Sequence, residues 1–267
     1  MLNEAQILIA ADDLYQAEKN CQPIDPITLT HPDMTMDEAY AVQKCWVDRK
    51  VAEGQRIIGY KIGLTSRAMQ SAMKIDEPDY GVLLDEMVFA DGVDIDISQF
   101  CDPRIEVELA FILKDRLQGE NVSLFDVLNA TDYVVPALEI IAARSFRVHP
   151  DTGYTRTIYD TISDNAANAG IIMGGRPIKP DSVDLRWCGA LFYLNGVLEE
   201  TGLAAGVLNH PANGICWVAK RFAPHGVALE PGQVILSGSF TRPVSIKAGD
   251  TVHADYGLLG GISCRFV

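Results

Sequence analysis

Three glutamates set in two apolar runs carry the most unusual chemistry of this 267-residue sequence. Glu106 and Glu108 alternate with Ile105, Val107 and Leu109 in PRIEVELAF, and Glu139 sits inside YVVPALEII. Both runs are short, apolar and bounded by turn or helix signals, so each reads as a strand. On a strand, residues i and i+2 share a face, which sets Glu106 and Glu108 side by side, about 7 Å apart along the chain. At an effective dielectric of about 20, two carboxylates at that separation repel by about 2.4 kcal/mol before desolvation is counted. No Lys or Arg alternates with them, and Arg104 joins the face of Glu106 only if the strand already runs through it. Three converging carboxylates without matched bases suit a hard divalent cation, Mg²⁺ or Mn²⁺, with positions left for water or a chelating substrate. The residues alone leave a second reading open: a solvated acidic face, with Glu139 salt-bridged elsewhere.

Lys61, in RIIGYKIGLTS, is flanked by Tyr60 and Ile62 with glycines nearby. A lysine in such a run ordinarily snorkels to the surface; held inside, it needs a carboxylate or a bound anion. Asp79 precedes Tyr80-Gly81 and reads equally as a turn residue. The six cysteines are scattered without C-x-x-C and the five histidines show no H-x-x-x-H, so a zinc site is not expected and reduced thiols are. A net charge of −14 argues against a nucleic-acid backbone or an anionic membrane as partner. The opening MLNEAQILIAADD lacks a basic n-region, and no apolar run approaches the ~20 residues of a membrane span. A cytoplasmic location is the expectation.

The elements that must position these side chains follow from periodicity. Residues 4–18 place Ile7, Leu8, Ala11, Leu14 and Tyr15 on one helical face, and Thr35 with Glu38 forms a capping-box pattern for a helix running to Gly54. Thr65 or Ser66 caps a further helix through Met73. Strands are expected at 82–89 and 103–113, and Ser123 caps the short helix LFDVLNA. DTISDNAANAGIIMGG has the composition of a tight, backbone-close loop before a strand. LRWCGALFYLNGVLEET reads as a hairpin turning at Asn195-Gly196, a type I′ sequence. Asn209 and Pro211 start a helix towards Phe222, and three or four strands fill the C-terminal third, where SGSFTRP offers hydroxyls at a strand end. The expected architecture is α+β, a small helical N-terminal lobe over residues 1–75 on a large mixed-β domain over 76–267 that carries the metal site.

Seven blocks, GYKIGLTS, EPDYGVLLD, PRIEVELAF, PALEII, SDNAANAG, AAGVLNHPANG and SGSFTRP, occur here in the order found in the hydratase/decarboxylase branch of the fumarylacetoacetase superfamily, which essentially the whole chain resembles. The resemblance implies that Glu106, Glu108 and Glu139 ligate an essential Mg²⁺ (or Mn²⁺), that Lys61 and Asp79 are the catalytic acid–base pair, and that Ser163 and Ser239 line the substrate pocket. It also implies that the mixed β-sheet domain is rolled, and that the protein is a homo-oligomer built from dimers, acting on a small 2-oxo acid in aromatic catabolism: hydration of 2-oxohept-4-ene-1,7-dioate. Hydration of a shorter 2-hydroxypenta-2,4-dienoate, decarboxylation of a 2-oxo-3-enedioate, C–C hydrolysis and non-catalytic keto-acid binding are the alternatives. Hydrolysis is disfavoured because no histidine lies between His31 and His149. For the distal carboxylate of a dioate, Arg144, Arg147, Arg176 and Arg242 fall near the expected pocket loops.

Overall fold

The computed structural model describes residues 1–267, the side chains of Ala68 and Ala72 excepted. The chain begins with α1 (Glu4–Asn20), α2 (Ile27–Thr30) and α3 (Met36–Ala52). Reciprocal capping boxes, Asn3 with Gln6 and Thr35 with Glu38, satisfy the amides that open α1 and α3. Then follow β1 (Ile57–Gly63), α4 (Arg67–Met73), β2 (Asp79–Leu84), β3 (Val88–Phe89), β4 (Asp94–Ile95), β5 (Arg104–Leu113), α5 (Leu124–Ala130), β6 (Thr131–Ile141), α6 (Ile158–Ser163) and β7 (Asn168–Met173). The C-terminal part holds β8 (Gly189–Leu194), β9 (Val197–Leu203), α7 (Ala212–Phe222), β10 (Val234–Leu236), β11 (Val244–Ser245), β12 (Thr251–Asp255) and β13 (Gly261–Phe266). Among the described residues no helix is long and apolar enough to cross a membrane.

Two sheets result. The larger is mixed, in the order β2-β1-β10-β5-β6-β7-β3, with β11 beside β5; the smaller runs β4-β13-β12-β8-β9. Strands β2 and β7 stand five places apart in that order yet lie against each other, so the large sheet is rolled. Along β5 the odd residues Ile105, Val107, Leu109 and Phe111 are fully buried in the main core on the outer face. Each contributes about 1.5–3 kcal/mol of hydrophobic stabilisation, and a one-residue slip would drive the glutamates into that core. The even residues face the inside of the roll, where Ala110 meets Val135, Ala137, Ile171, Val234, Leu236 and Leu83 in a second apolar cluster.

Two expectations are corrected. The division at residue 75 fails because β1 pairs with β10 and β2 within the large sheet, so the sheet domain already includes residues 57–75. The single strand expected over 82–89 is two, β2 and β3, broken by a turn of 3₁₀ helix at Asp85–Met87; β2 starts early enough to take in Asp79. The hairpin holds: Asn195 and Gly196 both have positive φ, 52° and 78°, as a type I′ turn requires.

Candidate metal centre and active site

Antiparallel pairing of β5 with β6 sets Glu106 directly opposite Glu139, with Glu108 two residues further along β5. Oxygen atoms from the three carboxylates lie within 4.8 Å of one another. Glu108 and Glu139 are buried, while Glu106 is partly open to solvent. Only part of their hydrogen-bonding capacity is met. Glu139 Oε1 accepts from Asn168 Nδ2 at 2.8 Å and faces Lys61 Nζ at 3.3 Å, and Glu108 Oε2 accepts from the Gly238 amide at 2.8 Å. Glu139 Oε2 is buried with no partner among the described residues. Three hard oxygen donors with an orphaned atom among them fit a divalent cation of the Mg²⁺ or Mn²⁺ type.

Lys61 does not snorkel: only 4% of its surface is exposed. It lies opposite Gly81 of β2, and its Nζ donates to Ala166 O at 3.0 Å. Asp79 is buried at the first position of β2, opposite Gly63, so it is a strand residue rather than a turn residue. A Cβ on Gly63 would lie 2.1 Å from Asp79 Oδ1 and 3.2 Å from Lys61 Nζ, so the bare glycine makes the room in which these two groups meet. Among the described residues Asp79 Oδ1 has no hydrogen-bond partner.

The electrostatics follow from this crowding. Burial, reinforced by Glu139, pushes Glu106 up to about 8, and the same two causes carry Glu108 well above the carboxylate range. Burial pushes Asp79 up to about 6, against the lowering pull of Lys61. For Lys61 burial alone would favour the neutral amine, but Glu139, Asp79, Glu106 and Glu108 hold it above the ordinary lysine value. The inner face is therefore short of positive charge.

Several supporting residues escape sequence reasoning. Asn165, Ala166 and Ala167 all have left-handed φ, 50°, 50° and 60°, a strained run that aims Ala166 O at Lys61. Asn165 fixes the run by pairing its side chain with Val82, accepting from N at 2.7 Å and donating to O at 2.9 Å. Arg144 braces it from behind through Asp164 (2.9 Å), Glu18 (2.8 Å) and Asn168 O (2.9 Å). Tyr256 Oη lies 2.6 Å from Ala137 O, beneath the glutamates. The asparagines and small residues of SDNAANAG were the available signal, because Asn is the non-glycine residue that best tolerates left-handed backbone.

The structure thus brings together Lys61, Asp79, Glu106, Glu108 and Glu139. The two serines stand apart from this set. Ser163 is fully buried at the end of α6 with an unpartnered Oγ, and Ser239 Oγ turns back onto Thr241 O at 2.9 Å. Among the described residues neither hydroxyl bonds a site carboxylate. Ser239 does follow Gly238, whose amide binds Glu108. His149 accepts from the Asp151 and Thr152 amides through Nδ1 and faces Asp25 through Nε2 at 3.0 Å, so both its nitrogens are engaged.

Residues 56–267 match the family described as fumarylacetoacetate (FAA) hydrolase C-terminal. The chain belongs to that family. It is 61% identical over 259 residues, 97% of each chain, to 2-oxo-hept-4-ene-1,7-dioate hydratase of Escherichia coli. It is 37% identical to 2-keto-4-pentenoate hydratase of Paraburkholderia xenovorans (strain LB400), covering 96% of this chain and 93% of that one. Among solved structures, 4-oxalocrotonate decarboxylase from Pseudomonas putida G7, complexed with magnesium and adipate, superposes with a TM-score of 0.94 at 35% identity, covering 100% of this chain and 99% of that one. The α+β architecture read from the sequence, helices at the N-terminus and a rolled mixed sheet, is the family's fold.

Proposed function

We propose that this chain is a hydro-lyase that adds water to 2-oxohept-4-ene-1,7-dioate, giving 4-hydroxy-2-oxoheptane-1,7-dioate, with Mg²⁺ (or Mn²⁺) held by Glu106, Glu108 and Glu139. The carrying observation is the convergence of three under-bonded carboxylates with the Lys61–Asp79 pair on one inner face. A bound cation would supply Lewis-acid polarisation of the carboxylate and keto oxygens of a 2-oxo acid, a contribution of several kcal/mol. Asp79, pushed up to about 6, takes the proton from C3 and returns it at C5, which brings the double bond into conjugation with the ketone. Water then adds at C4. Lys61, held protonated by the surrounding acids, positions Glu139 and offers positive charge to the developing oxyanion. Ser239, on the loop that binds Glu108, and Ser163, with its free Oγ, are assigned as hydroxyl contacts for the substrate.

The 61% identical hydratase supports this substrate over the shorter 2-keto-4-pentenoate named for a relative at 37% identity. Decarboxylation is the second reading, favoured by the close superposition on a decarboxylase. Mass spectrometry of the purified protein with Mg²⁺, run separately on 2-oxohept-4-enedioate and on 2-oxohex-3-enedioate, whose C6 carboxylate can leave as CO₂ to give a dienolate, separates the two. Gain of water by the first substrate is expected; loss of CO₂ from the second without hydration of the first would replace hydration by decarboxylation, and two unchanged substrates would remove both. Six free cysteines fit a reducing cytoplasm. The exposed apolar side chains Trp187, Leu191, Leu203 and Leu258, which line one groove, support assembly into a homo-oligomer, to be measured by light scattering.

A further inference from the structure

The inner face of β5 carries one more charged residue beside the acids. Because the strand begins at Arg104, that side chain projects from the same face as Glu106, about 7 Å further along. Its cross-strand neighbours are Ile141 on β6 and Ser245 on β11, so neither offers it a carboxylate. Among the described residues Arg104 makes no side-chain hydrogen bond and no ion pair, and its Nε is buried without a partner. A guanidinium stays charged at any working pH, and leaving one of its donors buried and unmatched is unfavourable unless an anion completes the site.

A second cation stands nearby. Arg147 is held by Asp102, two residues before Arg104, through Nε–Oδ2 at 2.7 Å and Nη2–O at 3.3 Å, which leaves Nη1 unengaged. Burial, with Arg156 and Arg104 close by, lowers Arg147 to about 10; these are like charges that an anion would relieve. The other arginines suggested by the sequence are committed or remote from this need. Arg144 is locked between Glu18 and Asp164, Arg242 pairs with Glu200, and Arg176 is exposed. In the opposite direction along β5 the face turns apolar at Ala110, Val135 and Ala137. An extended seven-carbon diacid spans roughly 7–8 Å between its end carbons, its ~1.5 Å bonds running in a zigzag. A molecule chelated at the glutamates therefore meets a free cation in one direction along the strand only, at the residue about 7 Å of strand beyond Glu106.

We propose that Arg104, with Arg147 beside it, binds the distal carboxylate of the substrate and so selects dioates over monocarboxylates. The inference rests on the hydratase reading for its substrate, and it commits to a guanidinium–carboxylate contact. The test compares 2-oxohept-4-enedioate with 2-hydroxypenta-2,4-dienoate in the Mg²⁺-loaded wild type, Arg104→Met and Arg104→Lys. The kcat/KM ratio of dioate to monoacid should fall about 10–100-fold in Arg104→Met, chiefly through KM, and less in Arg104→Lys. An unchanged ratio overturns the proposal. So does an equal loss on both substrates accompanied by a changed oligomeric state, which would make Arg104 structural. Calorimetry with 2-oxoheptanedioate and 2-oxoheptanoate, which lack the double bond and cannot be hydrated, keeps the two readings apart. If the wild type hydrates neither substrate yet binds the diacid more tightly, and Arg104→Met erases that preference, the hydratase reading fails and the carboxylate site stands. A wild type without preference for the diacid sinks the site itself.

Discussion

Lys61 Nζ is held from two sides, by Glu139 Oε1 at 3.3 Å and Ala166 O at 3.0 Å, whereas Asp79 keeps a bare Oδ1 and is pushed up to about 6. Of the two, only Asp79 changes charge in the range where enzymes work, which is why the proposed mechanism gives it the role of base. A base acts in its ionised form, so kcat/KM should fall as pH drops below about 6 and level off above it. Asp79→Asn should lower kcat by about 10²–10⁴-fold and abolish that acid limb. Lys61→Ala should also slow turnover, but with the limb moved to higher pH, because Lys61 is what draws Asp79 downward. A pH–rate profile for each variant decides this. An acid limb that persists in Asp79→Asn would return the aspartate to a structural role. Sequence alone could not assign the base, because Lys61 is fixed by Glu139 and Ala166, which only the folded sheet brings to it.

At the scale of elements, the site depends on a strained connection. The left-handed run Asn165–Ala167 links α6 to β7, and each such non-glycine residue costs about 1–2 kcal/mol, so it persists only because its surroundings fix it. Asn165 supplies two of those constraints through Val82 N and O. Asn165→Ala should destabilise the protein by about 2–4 kcal/mol, since it leaves a buried donor and acceptor unmatched. It should also cut turnover more than lost stability explains, by releasing Ala166 O from Lys61. Thermal unfolding and kcat measured on one preparation test both parts; intact kcat would show that the run does not position the lysine. The sequence made some of this legible. The i, i+2 rule put Glu106 and Glu108 on one face, and the capping box at Thr35 and the cap at Ser123 marked the starts of α3 and α5. The register that sets Glu139 opposite Glu106 was beyond it, because pairing over some thirty residues is decided by the sheet and not by local pattern. Arg104 lies inside the strand expected over 103–113, but the sequence does not single it out, because only the folded neighbours show that its Nε finds no partner.

For the molecule as a whole, the acids inside the roll oppose folding until something positive joins them. Glu106 is pushed up to about 8 and Glu108 well above the carboxylate range, so the metal-free native state binds more protons than the unfolded chain, whose glutamates titrate near 4.5. Stability then decreases with rising pH wherever the native state holds the extra protons, from about 4.5 to 8. A cation ligated by the carboxylates displaces those protons and binds only the native state, so it restores what the rising pH removes. The gap in Tm between Mg²⁺-loaded and chelated protein should therefore widen from pH 5 to pH 8, each kcal/mol appearing as about 2–4 °C. Glu108→Gln sharpens the expectation, because it removes one charge with little change of volume. At pH 8 the chelated variant should melt above the chelated wild type, and its response to Mg²⁺ should shrink. Scanning calorimetry of both proteins, with and without Mg²⁺ across that range, makes the measurement. A Tm gap independent of pH, or a Glu108→Gln protein as responsive to Mg²⁺ as the wild type, would mean that the three glutamates do not share a cation.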